Sequence, residues 1–146
     1  MQKLKPRRSS HGVHVVAAGT FDGLHDGHRY YLRAAKRLGS RLTVIVARDR
    51  TVPLIKGKVA RRRERKRLAA VAALPWVDRA LLGEPVRPGH PEDRFKILLR
   101  LKPGMICLGY DQPVKTVTLR KFLNTRGLRR TRIVRARQAP EFRRLP

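Results

Sequence analysis

The chain has 146 residues, enough for one domain with a hydrophobic core and too few for two domains of ordinary size. Its 36 Lys and Arg against 10 Asp and Glu give a net charge of +26, which predicts a positive field that attracts phosphorylated molecules. The single cysteine excludes a disulfide within the chain, and no apolar run approaches the length of a membrane span. We therefore expect a cytoplasmic location and no membrane partner.

The excess of basic residues has two explanations. An affinity for nucleic acid would use this charge without selecting a base sequence. An arginine-biased genome would instead place Arg wherever a surface helix needs a polar side chain. The basic residues are spread along the chain and few aromatic residues could stack on bases, which favours the second explanation. Non-specific binding of nucleic acid stays an open alternative.

The first half of the chain begins with a predicted flexible basic tail, residues 1–10, and residues 11–146 are predicted to form a single domain. Residues 13–18 are almost continuously apolar, which is typical of a central parallel strand covered on both faces. A glycine-rich turn follows at 19–28, then a helix at 29–38. A second strand is predicted at 42–47, and the segments 48–52 and 56–58 are predicted loops.

The second half continues the alternation of helices and strands. Helices are predicted at 61–74, 92–101 and 114–126, and strands at 80–82, 105–108 and 131–134. In the last helix, Val117, Leu119, Phe122 and Leu123 are expected to face the core. The pattern predicts an α/β fold, a Rossmann-like domain with a five-stranded parallel sheet and helices on both faces. The Gly-x-Gly-x-x-Gly fingerprint is absent, which disfavours a nicotinamide dehydrogenase.

The turn at 19–28 reads Gly-Thr-Phe-Asp-Gly-Leu-His-Asp-Gly-His and joins a buried strand to a helix N-terminus. Free backbone N–H groups and the positive end of the helix dipole converge there, which makes an anion site. His25 lies in the turn and His28 near the first helical position, so both can face the same phosphate. The alternative is a tight turn that carries two solvent-exposed histidines.

Two further basic segments are ambiguous. Lys56 stands beside Gly57, where it serves either as a phosphate clamp or as an ordinary loop charge. Residues 61–67 place a basic run at a predicted helix start, which the helix dipole disfavours. Bound phosphates or simple solvation would each relieve that conflict.

The string Thr-Phe-Asp-x-x-His-x-Gly-His at residues 20–28 resembles the signature of the nucleotidyltransferase superfamily that includes the cytidylyltransferases. The resemblance implies a Rossmann-like nucleotidyltransferase domain. It further implies that His25 and His28 contact nucleotide phosphates and stabilise the transition state of transfer at the α-phosphate. A divalent cation, Mg²⁺ or similar, would accompany the triphosphate, and the resemblance assigns no protein residue as a metal ligand.

Segments 46–52, 56–58, 77–83, 102–106 and 108–112 together resemble the archaeal-type FAD synthetases, over about residues 15–134. This resemblance implies transfer of AMP from ATP to FMN, giving FAD and pyrophosphate, and it allows a homodimer. Asp111 would hydrogen-bond the adenosine, and Lys56 and Arg67 would approach the triphosphate. The full set of nucleotide-binding residues that it implies is Thr20, Phe21, His25, Asp26, Gly27, His28, Lys56, Arg67 and Asp111.

The sequence departs from this family in three places. Arginines replace a proline and acidic residues before Arg67, Ala139 or its neighbours stand where an aromatic residue is usual, and the Ser/Thr-rich segment leading to a last helix is missing. We expect the C-terminal side of the nucleotide pocket to be incomplete, supplied by a partner subunit or built differently. Two alternative functions remain: a cytidylyltransferase acting on glycerol 3-phosphate or a related phosphorylated alcohol, and a nucleic-acid-binding module on an inactive transferase fold.

Overall fold

The computed structural model describes residues 12–140, so the predicted tail at 1–10 lies outside the described residues. Its sheet has five parallel strands in the order β3-β2-β1-β4-β5. The strands are β1 His14–Gly19, β2 Arg41–Val46, β3 Arg79–Leu82, β4 Met105–Leu108 and β5 Arg132–Arg135. The helices are α1 Asp26–Arg37, α2 Thr51–Lys56, α3 Glu64–Ala72, α4 Ile97–Leu101 and α5 Thr116–Thr125, with a 3₁₀ helix at Pro91–Phe95.

Helices cover both faces of the sheet because successive residues of each buried strand point to opposite sides. On one face, Val15 packs in a core with Leu32 of α1 and Val71 of α3. On the other face, its neighbour Val16 packs with residues of α4 and α5, including Leu119. The predicted fold class is confirmed.

The order of the strands reverses at β1, with β2 and β3 on one side and β4 and β5 on the other. In open parallel sheets, ligands bind in the crevice at the carboxyl ends of the strands where this reversal occurs. The register of β1 on β4 runs to the pair Ala17 and Cys107. Just beyond it, the Tyr31 hydroxyl of α1 accepts from the N–H of Ala18 at 3.3 Å and donates to Cys107 O at 2.5 Å. Beyond this point the loops after β1 and β4 separate, and the Tyr31 hydroxyl bridges the ends of the two strands.

One helix was not predicted. The segments 48–52 and 56–58 were expected to be loops, but Thr51–Lys56 forms α2, whose Val52 is buried. Pro53 lies in the first turn, where the missing N–H costs no helical hydrogen bond, and Gly57 ends the helix with a left-handed φ of 74°. Six residues with a proline carry too little periodicity to be identified from sequence.

Two other expectations need correction. The predicted helix at 92–101 is divided into a 3₁₀ helix and the short α4, with Lys96 between them. Val117 was expected to face the core but is 77% exposed in the first turn of α5. Within residues 12–140, no helix combines the length and the apolar character needed to cross a membrane.

Candidate active site

The loop that follows β1 is fixed from two sides. Phe21 adopts a φ of 54°, rare for a residue with a side chain, and its ring is buried above Gly19. A Cβ at Gly19 would lie 2.9 Å from that ring, so only glycine fits. The Asp22 carboxylate accepts the backbone N–H groups of Arg61 and Arg62 at 2.7 and 2.9 Å. The core and the segment before α3 thus hold the loop in place.

Two histidines form the N-terminal cap of α1. His25 Nδ1 accepts from the N–H groups of Gly27 and His28 at 3.0 and 3.3 Å, and His28 Nδ1 accepts from the N–H of His25 at 3.3 Å. The two rings stack with their centroids 3.7 Å apart. Because each Nδ1 is an acceptor, the hydrogen-bond pattern assigns the proton of each neutral ring to Nε2. This cap makes both imidazoles N–H donors at a helix N-terminus.

The neighbours of His28 keep its ring neutral. Burial is the largest cause that lowers the pKa of His28, followed by the charges of His25 and Lys56, and the result is a pKa of about 4. The charge of Asp111 and a hydrogen bond with the backbone of Gly23 oppose the shift. The ring therefore donates a hydrogen bond at neutral pH without itself carrying a positive charge.

A cavity of about 570 Å³ opens beside these rings, and we call it the histidine cavity. The loop after β1, the start of α1, the loop after β4 and residues 136–139 enclose it. It brings together most of the predicted nucleotide-binding residues: Thr20, Phe21, His25, Gly27, His28, Lys56 and Asp111. Its C-terminal side is built from residues 136–139, including the exposed Arg137.

A second cavity of about 520 Å³ lies over the face of the sheet covered by α4 and α5, and we call it the apolar cavity. Its walls are mainly aliphatic and aromatic side chains from the strands, α2, the 3₁₀ helix and α5. The two cavities share the wall formed by Ala18, Gly19, Thr20, Lys56, Asp111 and Gln112. Both cavities therefore open onto the end of β1, at the place where the strand order reverses.

Arg67 does not approach either cavity as predicted. Its side chain is fully buried, and its guanidinium donates to the carbonyl oxygens of Arg62, Thr20 and Ala47, each at 2.8 Å. A further N–H pairs with the Asp49 carboxylate at 2.7 Å. Arg67 thus joins the ends of β1 and β2 to α3, an arrangement that gives it a structural role, and its contact with a triphosphate stays a prediction.

Asp26 is also placed differently from its predicted role. Its side chain is 78% exposed in the first turn of α1, where it pairs with Arg29 at 3.4 Å. It lies outside both cavities as the described residues define them. A carboxylate in the first turn of a helix interacts favourably with the helix dipole, which accounts for Asp26 without a bound ligand.

Sequence analysis missed residues that close the gap between β1 and β4. Gln112 donates to Ala18 O at 2.6 Å and accepts from the N–H of Gly109 at 2.7 Å, which ties the two loops together. Its position after a strand end was the available signal, but its partner lies far away in the chain. Over residues 12–140, no group of three or more His, Cys, Asp or Glu side chains is arranged to hold a metal ion.

Comparison with known proteins agrees with this architecture. The Cytidylyltransferase-like family model matches residues 16–142. An FAD synthase of Archaeoglobus profundus is 42% identical over 134 residues, which cover 88% of this chain and 77% of the relative. An FAD synthase of Thermoplasma acidophilum is 43% identical over 123 residues, which cover 84% of this chain and 81% of the relative.

Solved structures show the same fold. The lipopolysaccharide core biosynthesis protein from Thermoplasma volcanium superposes with a TM-score of 0.76 at 39% identity, covering 87% of this chain and 98% of that one. A protein of unknown function from Archaeoglobus fulgidus gives a TM-score of 0.69 at 18% identity, covering 90% and 94%, and supports the fold alone.

Proposed function

The chain belongs to the cytidylyltransferase-like family and is a nucleotidyltransferase, and from this premise we propose that it is an FAD synthase that transfers AMP from ATP to FMN. Its FAD synthase relatives, which cover most of the chain, support FAD synthesis. The observation that carries the proposal is the wall shared by the two cavities. A reaction that joins two phosphorylated molecules needs two sites that meet where the new bond forms.

ATP occupies the histidine cavity in this proposal. Its α-phosphate lies against the Nε2–H groups of His25 and His28 and the N-terminus of α1, where backbone N–H groups and the helix dipole favour an anion. Thr20, Phe21 and Gly27 line the same cavity beside the phosphates. Asp111, which lines this cavity, is the residue that we assign to hydrogen-bond the adenosine. ATP brings a divalent cation on its triphosphate, and that cation offsets part of the phosphate charge.

FMN occupies the apolar cavity with its phosphate at the shared wall, close to Lys56. A phosphate oxygen of FMN attacks the α-phosphorus of ATP and forms the new P–O bond. The bond from the α-phosphorus to the bridging oxygen of the β-phosphate breaks, and pyrophosphate leaves with that electron pair. An ionised phosphate needs no general base, so the protein contributes positioning and charge stabilisation. His25 and His28 donate to the charge that builds on the α-phosphate oxygens.

The size and lining of the apolar cavity favour FMN over glycerol 3-phosphate. A volume of about 520 Å³ bounded mainly by apolar side chains suits a planar ring system. A glycerol group would leave most of this space unfilled. A cytoplasmic location and a homodimer remain parts of the proposal.

An endpoint assay tests the proposal. The protein is incubated with Mg²⁺ and either ATP with FMN or CTP with glycerol 3-phosphate, and the products are separated by chromatography. We expect FAD and pyrophosphate in equal amounts from the first mixture alone. Product from the second mixture alone would support nucleotidyl transfer but would contradict FMN as the acceptor. No product from folded protein in either mixture would favour the nucleic-acid-binding alternative.

A further inference from the structure

Two buried polar atoms have no hydrogen-bond partner in the part of the chain that the structure describes, and both belong to residues that line the apolar cavity. They are the hydroxyl oxygen Oγ1 of Thr51, at the start of α2, and the Nε of Arg94, in the 3₁₀ helix. Buried polar groups almost always have partners, and leaving one unpaired costs about 1–3 kcal/mol. Two such atoms at a single cavity indicate that a ligand completes their bonding.

The surroundings of Arg94 strengthen this indication. Its guanidinium lies 4.9 Å from the centre of the Phe95 ring, and burial lowers its pKa. Glu84 also lines the cavity, but its carboxylate pairs with Arg100 at 2.9 Å. Among residues 12–140, no carboxylate pairs with Arg94. A cation held in an apolar wall without a counter-ion is a donor for a ligand that carries acceptor atoms.

The cavity also sets the shape of that ligand. Apolar side chains form most of its remaining walls, among them Ile45 and Leu119 of α5, and Arg48, Lys56 and Lys58 add further cationic groups. An isoalloxazine ring has an apolar dimethylbenzene end and a pyrimidine end with two carbonyl oxygens and unprotonated ring nitrogens. Arginine has donors only, so it pairs with such acceptors, whereas a threonine hydroxyl can donate or accept.

We infer that the apolar cavity is a flavin subsite, in which Arg94 donates to the carbonyl edge of the isoalloxazine ring and the Thr51 hydroxyl hydrogen-bonds to the same ring. The inference rests on the proposed function and assigns the residues that recognise the acceptor. Neither Arg94 Nε nor Thr51 Oγ1 has a hydrogen-bond partner among the described residues that it would have to give up to bind the ring. The ribityl chain then leads the phosphate to the wall shared with the histidine cavity.

The test measures binding of two flavins to the intact protein by quenching of flavin fluorescence. Lumiflavin carries the ring alone, and FMN adds the ribityl chain and the phosphate. The variants are Arg94→Met, which keeps the unbranched apolar stem of the side chain but removes its guanidinium donors, and Thr51→Val, which replaces the hydroxyl with a methyl group. Arg126→Met is the matched control, because Arg126 is exposed, lies 4.6 Å from the Phe122 ring and lines neither cavity.

We expect Arg94→Met to raise the Kd of lumiflavin and of FMN by the same factor, about tenfold to a hundredfold, as for a hydrogen bond to a charged group. Thr51→Val raises both by about threefold to tenfold and leaves the melting temperature unchanged or higher, since it removes an unpaired polar atom. Arg126→Met leaves both Kd values within about twofold.

Unchanged Kd values in folded Arg94→Met and Thr51→Val protein would overturn the inference. A loss confined to FMN would also overturn it, because Arg94 would then pair with the phosphate. If the wild type forms FAD in either case, the proposed function stands without this subsite. If the wild type forms no FAD but the two variants bind lumiflavin more weakly than the wild type by the expected factors, the proposed reaction fails and the flavin subsite stands. No flavin binding and no FAD would overturn both.

Discussion

A histidine at a phosphate site is often assumed to carry a positive charge, yet the pKa of His28 is lowered to about 4. Its Nδ1 accepts the N–H of His25, and a proton on Nδ1 would break that cap. In the proposed anion site, the positive contribution therefore comes from the N-terminus of α1 and from Lys56, while the ring supplies an oriented donor. Binding of a triphosphate raises the pKa of His28, because the added negative charge favours protonation of the ring.

The low pKa of His28 predicts a pH dependence of stability. Between about pH 6.5 and about pH 4, the unfolded chain binds a proton at this histidine and the folded chain does not. Folding stability due to this group is therefore complete above pH 6.5 and is lost as the pH falls towards 4. His28→Gln, whose amide oxygen can still cap the helix, should lose less stability over this interval in urea titrations. An identical pH profile in the variant would contradict the assigned pKa.

At the scale of single elements, α1 depends on its unusual cap. Histidine is not among the preferred N-cap residues, so the choice of His25 serves more than helix stability. Substitution can separate its two roles, because asparagine caps a helix well but has no imidazole.

We predict that His25→Asn keeps the free energy of unfolding within about 0.5 kcal/mol of wild type, whereas His25→Ala lowers it by about 1 kcal/mol. Both variants should lose about a hundredfold or more in turnover, as expected for loss of a donor to the transition state. Urea denaturation and steady-state kinetics measure the two effects. If His25→Asn is instead as active as the wild type, so that turnover changes only where stability changes, His25 acts solely as a structural cap of α1.

The junction of β1, β2 and α3 depends on Arg67 in the same way. We predict that Arg67→Lys and Arg67→Met each lower the free energy of unfolding by about 3 kcal/mol or more, since buried carbonyl groups are left without donors in both variants and methionine also removes the charge that pairs with Asp49. Lysine cannot reproduce the fork of donors that arginine supplies. Lys66→Met, at the exposed neighbouring position on α3, is the control and should change stability little. A stable Arg67→Lys variant with a raised KM for ATP would restore the predicted phosphate contact.

At the scale of the whole molecule, the net charge of +26 acts on substrates that are themselves anions. We predict that the KM values of ATP and FMN rise steadily as salt is raised from about 50 to about 300 mM, because the field is screened over about a Debye length. The turnover number should change much less, since the groups at the shared wall act at short range. KM values that do not depend on salt, in protein that stays folded, would show that the charge plays no part in substrate capture.

The sequence predicted best what is local. The strand, turn, helix start and two histidines lie within residues 14–28, so their spacing alone indicated an anion site, and the alternating pattern indicated the sheet. It predicted least well what depends on distant partners. A pattern cannot distinguish a buried arginine such as Arg67 from a surface one, nor bring Thr51 and Arg94 to one cavity from separate segments. The short α2 was missed because its burial arises from tertiary packing.

In the proposed reaction, AMP is joined to FMN at the wall shared by the two cavities, and the paired histidines stabilise the transfer. The most direct measurement follows the fate of ATP radiolabelled at the α-phosphate, and in parallel at the γ-phosphate, in the presence of FMN and Mg²⁺. We expect the α-label to appear in FAD, the γ-label to appear only in pyrophosphate, and His28→Gln to slow the labelling of FAD by about a hundredfold or more. Transfer of the γ-label to the flavin, or labelling of FAD at the wild-type rate by His28→Gln, would contradict the proposed reaction.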